Sequence, residues 1–256
     1  MPAPRRIRTR KRASQTDYLA GSDQVRAREV LDFLLSDHAI AWFGRGGYGL
    51  TRILHLLESE LDKTEKPKRW MGYSDITALF ALCKSRGLAV ECVHGPMLCA
   101  FPKQPNKQVL IRALHGEAAP IPFAEGAAGV EFNGSIWGGN LAVLASLAGT
   151  RWLPTPTADS AVFLEDVDEA PYRVDRYITQ LYHSGFFAQT RRVILGTFTG
   201  FEPAAAVYEV AHKRCEELGL EMLGRVPIGH SEPHSPLFLD KPYRYSPAER
   251  CLVPNF

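Results

Sequence analysis

An alternation constrains this chain more than any other feature. Short apolar runs of strand type stop at glycine- or serine-containing turns, and helical periodicity follows each one. Ala39-Ile40-Ala41-Trp42-Phe43 ends in Gly44-Arg45-Gly46-Gly47-Tyr48-Gly49, and a helix carrying Ile53, Leu54, Leu56 and Leu57 comes next. Arg69 to Tyr73 meets Ser74-Asp75, and a helix through Ile76, Leu79, Phe80 and Leu82 is closed by Gly87. Ala89 to Val93 runs into His94-Gly95-Pro96. A second alternating region reads as helix 140–148, strand 160–164, helix 174–182, strand 192–195 and helix 204–218. Repetition of strand, loop and helix predicts an α/β fold with a parallel sheet covered by helices.

Between the two regions, Pro102, Pro105, Pro120, Pro122, Gly126 and Gly129 break every period. The 256 residues exceed one ~150-residue domain. They divide into a basic disordered arm (1–17), a first domain (18–115), a linker (116–131) and a second domain (132–256). The first helix is expected from Ser22, because Ala27, Val30, Leu31, Leu34 and Leu35 repeat at helical spacing, with Ser22 or Asp23 as its cap. The helix near Val174 places Val174, Ile178, Leu181 and Tyr182 on one face and stops at Gly185, a residue suited to a left-handed helix end. The tail after Pro233 is rich in proline and aromatics and shows no clear period.

The formal net charge is +2, but six cationic residues crowd the first twelve positions, so the remainder sums to −4. Such a surface is a poor binder of nucleic acid. No apolar run approaches the ~18 residues of a membrane helix, and no secretory signal core opens the chain. The cysteines (Cys83, Cys92, Cys99, Cys215, Cys251) are odd in number and lack a Cys-x-x-Cys pair. That pattern disfavours a disulfide framework or thiolate zinc site and suits a reducing cytoplasm.

Four segments could carry chemistry. Ser74, between a strand and a helix, would stand above helix amides able to meet an oxyanion. Ile76 occupies the place of the second glycine in a Gly-x-Ser-x-Gly elbow, and local sequence alone favours Ser74 as a mere helix cap. The glycine loop 44–49 fits a phosphate turn without a P-loop lysine, a second oxyanion donor beside Ser74, or a plain tight turn. Glu165-Asp166-Val167-Asp168-Glu169 could orient a histidine or bind a divalent cation, or could be a solvated loop beside Arg173 and Arg176. Glu165 stands apart, since it directly follows the apolar run 161–164. Finally, Gly229-His230-Ser231-Glu232-Pro233-His234 spaces two histidines as a helical zinc pair would, but Pro233 opposes that helix. His230 suits a mobile general base, with His94 and His234 as rivals.

Taken in order, these segments resemble the LD-carboxypeptidase family, which includes muramoyl-tetrapeptide carboxypeptidases and microcin C self-immunity hydrolases. The matching stretches are Tyr18-Leu19-Ala20-Gly21-Ser22-Asp23 with Arg26, the glycine loop 44–49, Gly72-Tyr73-Ser74-Asp75-Ile76-Thr77 and His94-Gly95-Pro96-Met97. They continue with Gly138-Gly139-Asn140-Leu141, Gly149-Thr150, Phe163-Leu164-Glu165-Asp166, Tyr172-Arg173-Val174-Asp175-Arg176 and Gly229-His230. The resemblance implies two domains facing each other across a cleft: a flavodoxin-like parallel sheet, and an α/β domain of swivelling, barrel-like type. It implies a cytoplasmic serine hydrolase without metal or organic cofactor, acting on a muropeptide whose terminal D-alanine follows the L-configured centre of a diamino acid. Ser74 would be the nucleophile, Glu165 the carboxylate and His230 the base. The oxyanion hole would be the N–H of Asp75 with that of Gly46 or Gly47. Arg45 is the candidate cation for the substrate carboxylate. Alternatives are hydrolysis of a peptidyl- or aminoacyl-nucleotide amide, and a shortened non-catalytic binding relative.

Family members usually begin with a further strand and helix ahead of the Tyr18 segment, where this chain has a basic, aperiodic arm. The expectation is a first sheet lacking one member, in a chain that is poorly soluble or buries the gap in a homodimer and is a weak catalyst. Beyond His230 the family usually reaches a Leu-Pro-x-Gly-like strand, where this chain reads Pro236-Leu237-Phe238-Leu239-Asp240.

Overall fold

Ser22 opens the first helix, α1 (Asp23–Leu34), by accepting the Val25 N–H at 3.3 Å, and the apolar stripe behind it buries Ala27 and Leu34. The expected alternation follows: β1 (Ile40–Trp42), α2 (Leu54–Glu58), β2 (Lys68–Gly72), one 3₁₀ turn over Ser74–Ile76, α3 (Thr77–Ser85) and β3 (Val90–His94). The computed structural model describes residues 18–61, 68–126 and 131–256; the basic arm expected over 1–17 lies outside the described residues.

After β3 come α4 (Lys107–Leu114), β4 (Ile121–Pro122), β5 (Glu125–Gly126), β6 (Phe132–Asn140) and α5 (Leu141–Ser146). They are followed by β7 (Ala161–Val167), α6 (Pro171–His183), β8 (Arg192–Thr199), α7 (Ala204–Glu217) and β9 (Glu221–Arg225). The chain closes with β10 (Leu237–Phe238), β11 (Lys241–Ser246) and β12 (Cys251–Pro254). Gly185 follows α6 with φ +84°, the left-handed helix end its position predicts.

Among the described residues these strands make two sheets. The first has the order β1-β2-β3-β10, its first three strands parallel. The second has the order β4-β12-β11-β6-β7-β8-β9-β5, parallel from β6 through β9 and antiparallel outside. It curls into a half-barrel, so the two-lobed α/β expectation holds. Strand β7 is buried continuously from Ala161 to Asp166, which explains the unbroken apolar run: a central parallel strand is covered on both faces.

Several elements escaped the sequence reading for identifiable reasons. Strand β6 contains Gly134, Gly138 and Gly139, which lower strand propensity, yet β7 and β11 pair with it from both sides. In β11, Tyr243 and Tyr245 are buried while Arg244 between them is exposed, a two-residue period too short to stand out. Within the stretch assigned as linker, β4 and β5 each add a two-residue strand to an edge of the second sheet.

One crossing positions the site. After β9 the chain leaves the second sheet and returns to the first, where β10 pairs antiparallel with β3 in the register Leu237↔His94 and Phe238↔Val93. The loop between β9 and β10 is thereby attached to both lobes. A second tie lies alongside, where the Asn140 N–H at the end of β6 donates to Thr77 Oγ1 at the start of α3, at 3.1 Å.

Candidate active site

Ser74 follows the carboxyl end of β2 in the left-handed region, at φ 58°. A non-glycine residue held there carries roughly 1–3 kcal/mol of backbone strain. The cap reading fails: Tyr73 is the N-cap of the 3₁₀ turn and Ile76 that of α3, and neither helix start has a side-chain cap bond. Among the described residues, Ser74 Oγ is bound to no partner, so its hydroxyl is free for other work.

The glycine loop lies against this serine. A Cβ placed on Gly46 would meet Ser74 Cβ at 3.1 Å, Ser74 Oγ at 3.3 Å and Met97 Cε at 3.1 Å. Only a residue without a side chain brings its backbone this close unhindered. One carboxylate and one guanidinium hold the loop. Asp75 Oδ2 accepts the Leu50 N–H at 3.0 Å, and Arg26 donates to the Gly49 carbonyl at 2.8 Å while pairing with Asp23. Burial raises the Asp75 pKa above its usual range, against the backbone N–H groups that favour its charge. The side chain of Asp75 thus fastens the loop, a role that sequence reasoning missed by considering only its backbone.

Across the cleft, Glu165 lies near the end of the buried part of β7 and is wholly buried itself. The β7–β8 register shifts between Leu164 and Asp166, and such an irregularity re-aims the side chain beside it. Glu165 Oε2 lies 2.8 Å from His230 Nδ1. Burial pushes the carboxyl upward, but hydrogen bonding to His230 and the nearness of His94 overcome it and hold Glu165 at about 2. A carboxylate that acidic only accepts, so Nδ1 carries the shared proton and Nε2 of His230 is left for chemistry. Burial lowers the His230 pKa, yet the Glu165 bond and charge outweigh it, and the net shift is upward. Gly229, at φ +138°, permits the approach, since a Cβ there would meet Glu165 Oε2 at 2.9 Å.

The rival histidines surround the same carboxylate. His94 Nε2 is 3.5 Å from Glu165 Oε1, and the His94 and His234 rings stack at 5.3 Å. Both rings are buried, whereas the His230 side chain is 17 % exposed. It opens on a cavity of about 430 Å³ whose lining includes Tyr73, Pro96, Gln104 and His234. Burial and the neighbouring His94 hold His234 at about 3, an uncharged ring.

The remaining carboxylates of the acidic run diverge. Asp166 accepts from Asn140 Nδ2 and the Ala142 N–H, both at 2.8 Å, and so anchors the start of α5; burial and the Glu165 charge push it up to about 7. Glu169 pairs with Arg173 at 2.8 Å. Among the described residues no group of three or more His, Cys, Asp or Glu side chains could hold a metal ion. Arg45 is exposed on the glycine loop and pairs with no carboxylate among the described residues. No described helix is long and apolar enough to cross a membrane.

A family model described as the LD-carboxypeptidase N-terminal domain matches residues 4–95, and one described as the LD-carboxypeptidase C-terminal domain matches 133–244. A protein of Synechocystis sp. bearing a carboxypeptidase name is 32% identical over 83% of this chain and 72% of its own length. The murein tetrapeptide carboxypeptidase of Pseudomonas aeruginosa is 28% identical over 83% of this chain and 74% of its own. Among solved structures, muramoyltetrapeptide carboxypeptidase from Oxalobacter formigenes superposes with a TM-score of 0.79 at 24% identity, covering 94% of this chain and 88% of that one. The microcin C7 self immunity protein in complex with aspartyl sulfamoyl adenosine gives 0.80 at 21% identity, covering 95% and 84%.

Proposed function

The chain belongs to the LD-carboxypeptidase family, and on that premise we propose that it is a serine peptidase releasing terminal D-alanine from muropeptides. The observation that carries the mechanism is a strained Ser74 under Gly46, whose neighbour Tyr73 lies 4.5 Å ring to ring from His230, together with the 2.8 Å Glu165–His230 bond. The murein tetrapeptide carboxypeptidase among the relatives supports the substrate.

In this mechanism His230 Nε2 takes the Ser74 Oγ proton as Oγ adds to the carbonyl after the L-configured centre. The N–H groups of Asp75 and of Gly46 or Gly47 hold the oxyanion, while Glu165 keeps the imidazole tautomer and stabilises the imidazolium. Collapse breaks the C–N bond, and the Nε2 proton passes to the departing D-alanine amine. Water, deprotonated by His230, then hydrolyses the ester. Arg45 provides the charge for the substrate's terminal carboxylate.

Fluorophosphonate labelling tests the class, since an activated serine labels and a binding module does not. Assaying a muramoyl tetrapeptide beside an acyl-adenylate amide tests the substrate, and faster turnover of the adenylate would overturn the muropeptide assignment.

Gly46→Ala is expected to lower kcat by on the order of 10²-fold, because the new methyl displaces either the oxyanion donor or Ser74. Steady-state kinetics at unchanged melting temperature would show it. Arg45→Ala should instead raise KM roughly tenfold with kcat little altered, the pattern of lost uniform binding. A fall in kcat alone would remove Arg45 from that role.

Activity should rise with pH as His230 loses its proton, along a limb displaced above the ordinary histidine value of 6.5. Stability should run the other way. A histidine with a raised folded pKa stabilises fully below its unfolded pKa and loses that contribution as pH rises through the folded one. A kcat/KM profile and a melting series over the same pH range would reveal the opposed trends.

A further inference from the structure

Glu165 is a fully buried carboxylate with only one of its oxygens hydrogen-bonded. Oε2 is bound to His230, whereas Oε1 has no hydrogen bond among the described residues and faces His94 Nε2 at 3.5 Å. Neither nitrogen of the His94 ring has a hydrogen-bond partner among the described residues, and the residue is 0 % exposed. A buried ionised oxygen without a donor is costly, and a short side-chain adjustment would satisfy both groups.

The position of His94 in the fold is equally specific. It ends β3, where its Cα partners are Gly72 on one side and Leu237 on the other. Gly72 leads two residues later to Ser74, and Leu237 follows the loop that carries His230. His94 therefore stands between the strand serving the serine, the segment serving the base, and the carboxylate itself. Its ring is fixed by stacking on His234 and by an edge contact with Phe163 at 5.0 Å. His234 is in turn held to the first lobe, donating its N–H to Gln104 Oε1 at 2.9 Å and accepting from Asn106 Nδ2 at 3.0 Å.

We propose that His94 is a positioning residue, whose Nε2–H restrains the second oxygen of Glu165 and keeps the carboxylate aimed at His230 in register with Ser74. The proposal rests on the reading of Ser74, Glu165 and His230 as the reacting set. His94 acts through Glu165 and touches no substrate. Withdrawing its N–H leaves the carboxylate more basic and less well aimed, so the imidazolium form of His230 persists to higher pH. The other groups facing this pair are Asp166 on β7, Asp168 after it, Tyr73 before the serine, and Glu232 and His234 beyond His230. Of these, His234 alone is held down in part by His94, and its burial, the larger cause, keeps that ring uncharged when position 94 changes.

His94→Phe keeps the ring and its stacking but removes the donor, and His94→Gln places an amide N–H where Nε2 stood. The phenylalanine variant should lose kcat by on the order of 10- to 100-fold with KM little changed, and its acid limb should move to higher pH. The glutamine variant should restore most of kcat and return the limb. If His94→Phe does not fold, His94→Asn, whose amide stops short of Oε1, replaces it with the same expected loss. A folded donor-less variant with unchanged kcat and pH limb overturns the proposal, as does a limb moved to lower pH or a glutamine variant no better than phenylalanine. Glu165→Gln is measured in parallel. If it too keeps full activity, the triad reading has failed; if it alone is inactive, only the role of His94 has failed.

Discussion

Ser74→Ala is expected to reduce turnover of a muramoyl tetrapeptide by about 10⁶-fold, the scale on which a serine triad fails without its nucleophile. The same variant should not label with a fluorophosphonate. Its melting temperature should stay close to that of the parent chain, because the Ser74 hydroxyl caps neither the 3₁₀ turn nor α3. Alanine accepts the left-handed backbone at 74 about as poorly as serine, so the strain is carried over rather than relieved. The structure thus separates chemistry from stability at this position. A cap would have shown a loss of ~1–2 kcal/mol on mutation to alanine. A well-folded Ser74→Ala protein with undiminished activity would end the serine-peptidase reading, whatever the family relationship.

How much of this site was legible in the sequence depended on which physical signal placed each group. The first three parallel strands and their helices could be read because each short strand-like run stops at a glycine- or serine-containing turn and helical spacing of apolar residues resumes beyond it. Glu165 stood out because a carboxylate directly after such a run is exceptional. The ordered motifs singled out Ser74 and His230, although local sequence taken alone favoured a cap for the first and left rivals to the second. Pairing was hidden. The contact between Gly46 and Ser74 joins two separate turns, and the His94–Leu237 register depends on a chain reversal between lobes that no local period encodes. His94 and His234 therefore looked like competing bases, whereas both are buried, His94 beside the carboxylate and His234 stacked on His94. Strand β6 was missed for the same reason: its glycines argue against a strand, and only its neighbours make it one.

Glu165→Gln should leave KM nearly unchanged and lower kcat by about 10⁴-fold, as replacing the buried carboxylate of a triad by its amide does. The amide fills the same space but brings no charge to stabilise the imidazolium of His230. Its NH₂ group can also turn towards Nδ1 and impose the wrong tautomer. The acidic run allows a different outcome on sequence grounds. Were it a cation site, a chelator would abolish activity, and Asp166 or Asp168 would matter as much as Glu165. The geometry favours the first outcome, because these carboxylates face different ways. Glu165 meets His230 at 2.8 Å, Asp166 receives the Ala142 N–H at the start of α5, and Glu169 pairs with Arg173. A folded Glu165→Gln chain that keeps full activity, beside a parent chain inactivated by chelator, would assign the run to a cation. Loss in the variant with chelator indifference in the parent would leave Glu165 as the charge against which His230 works.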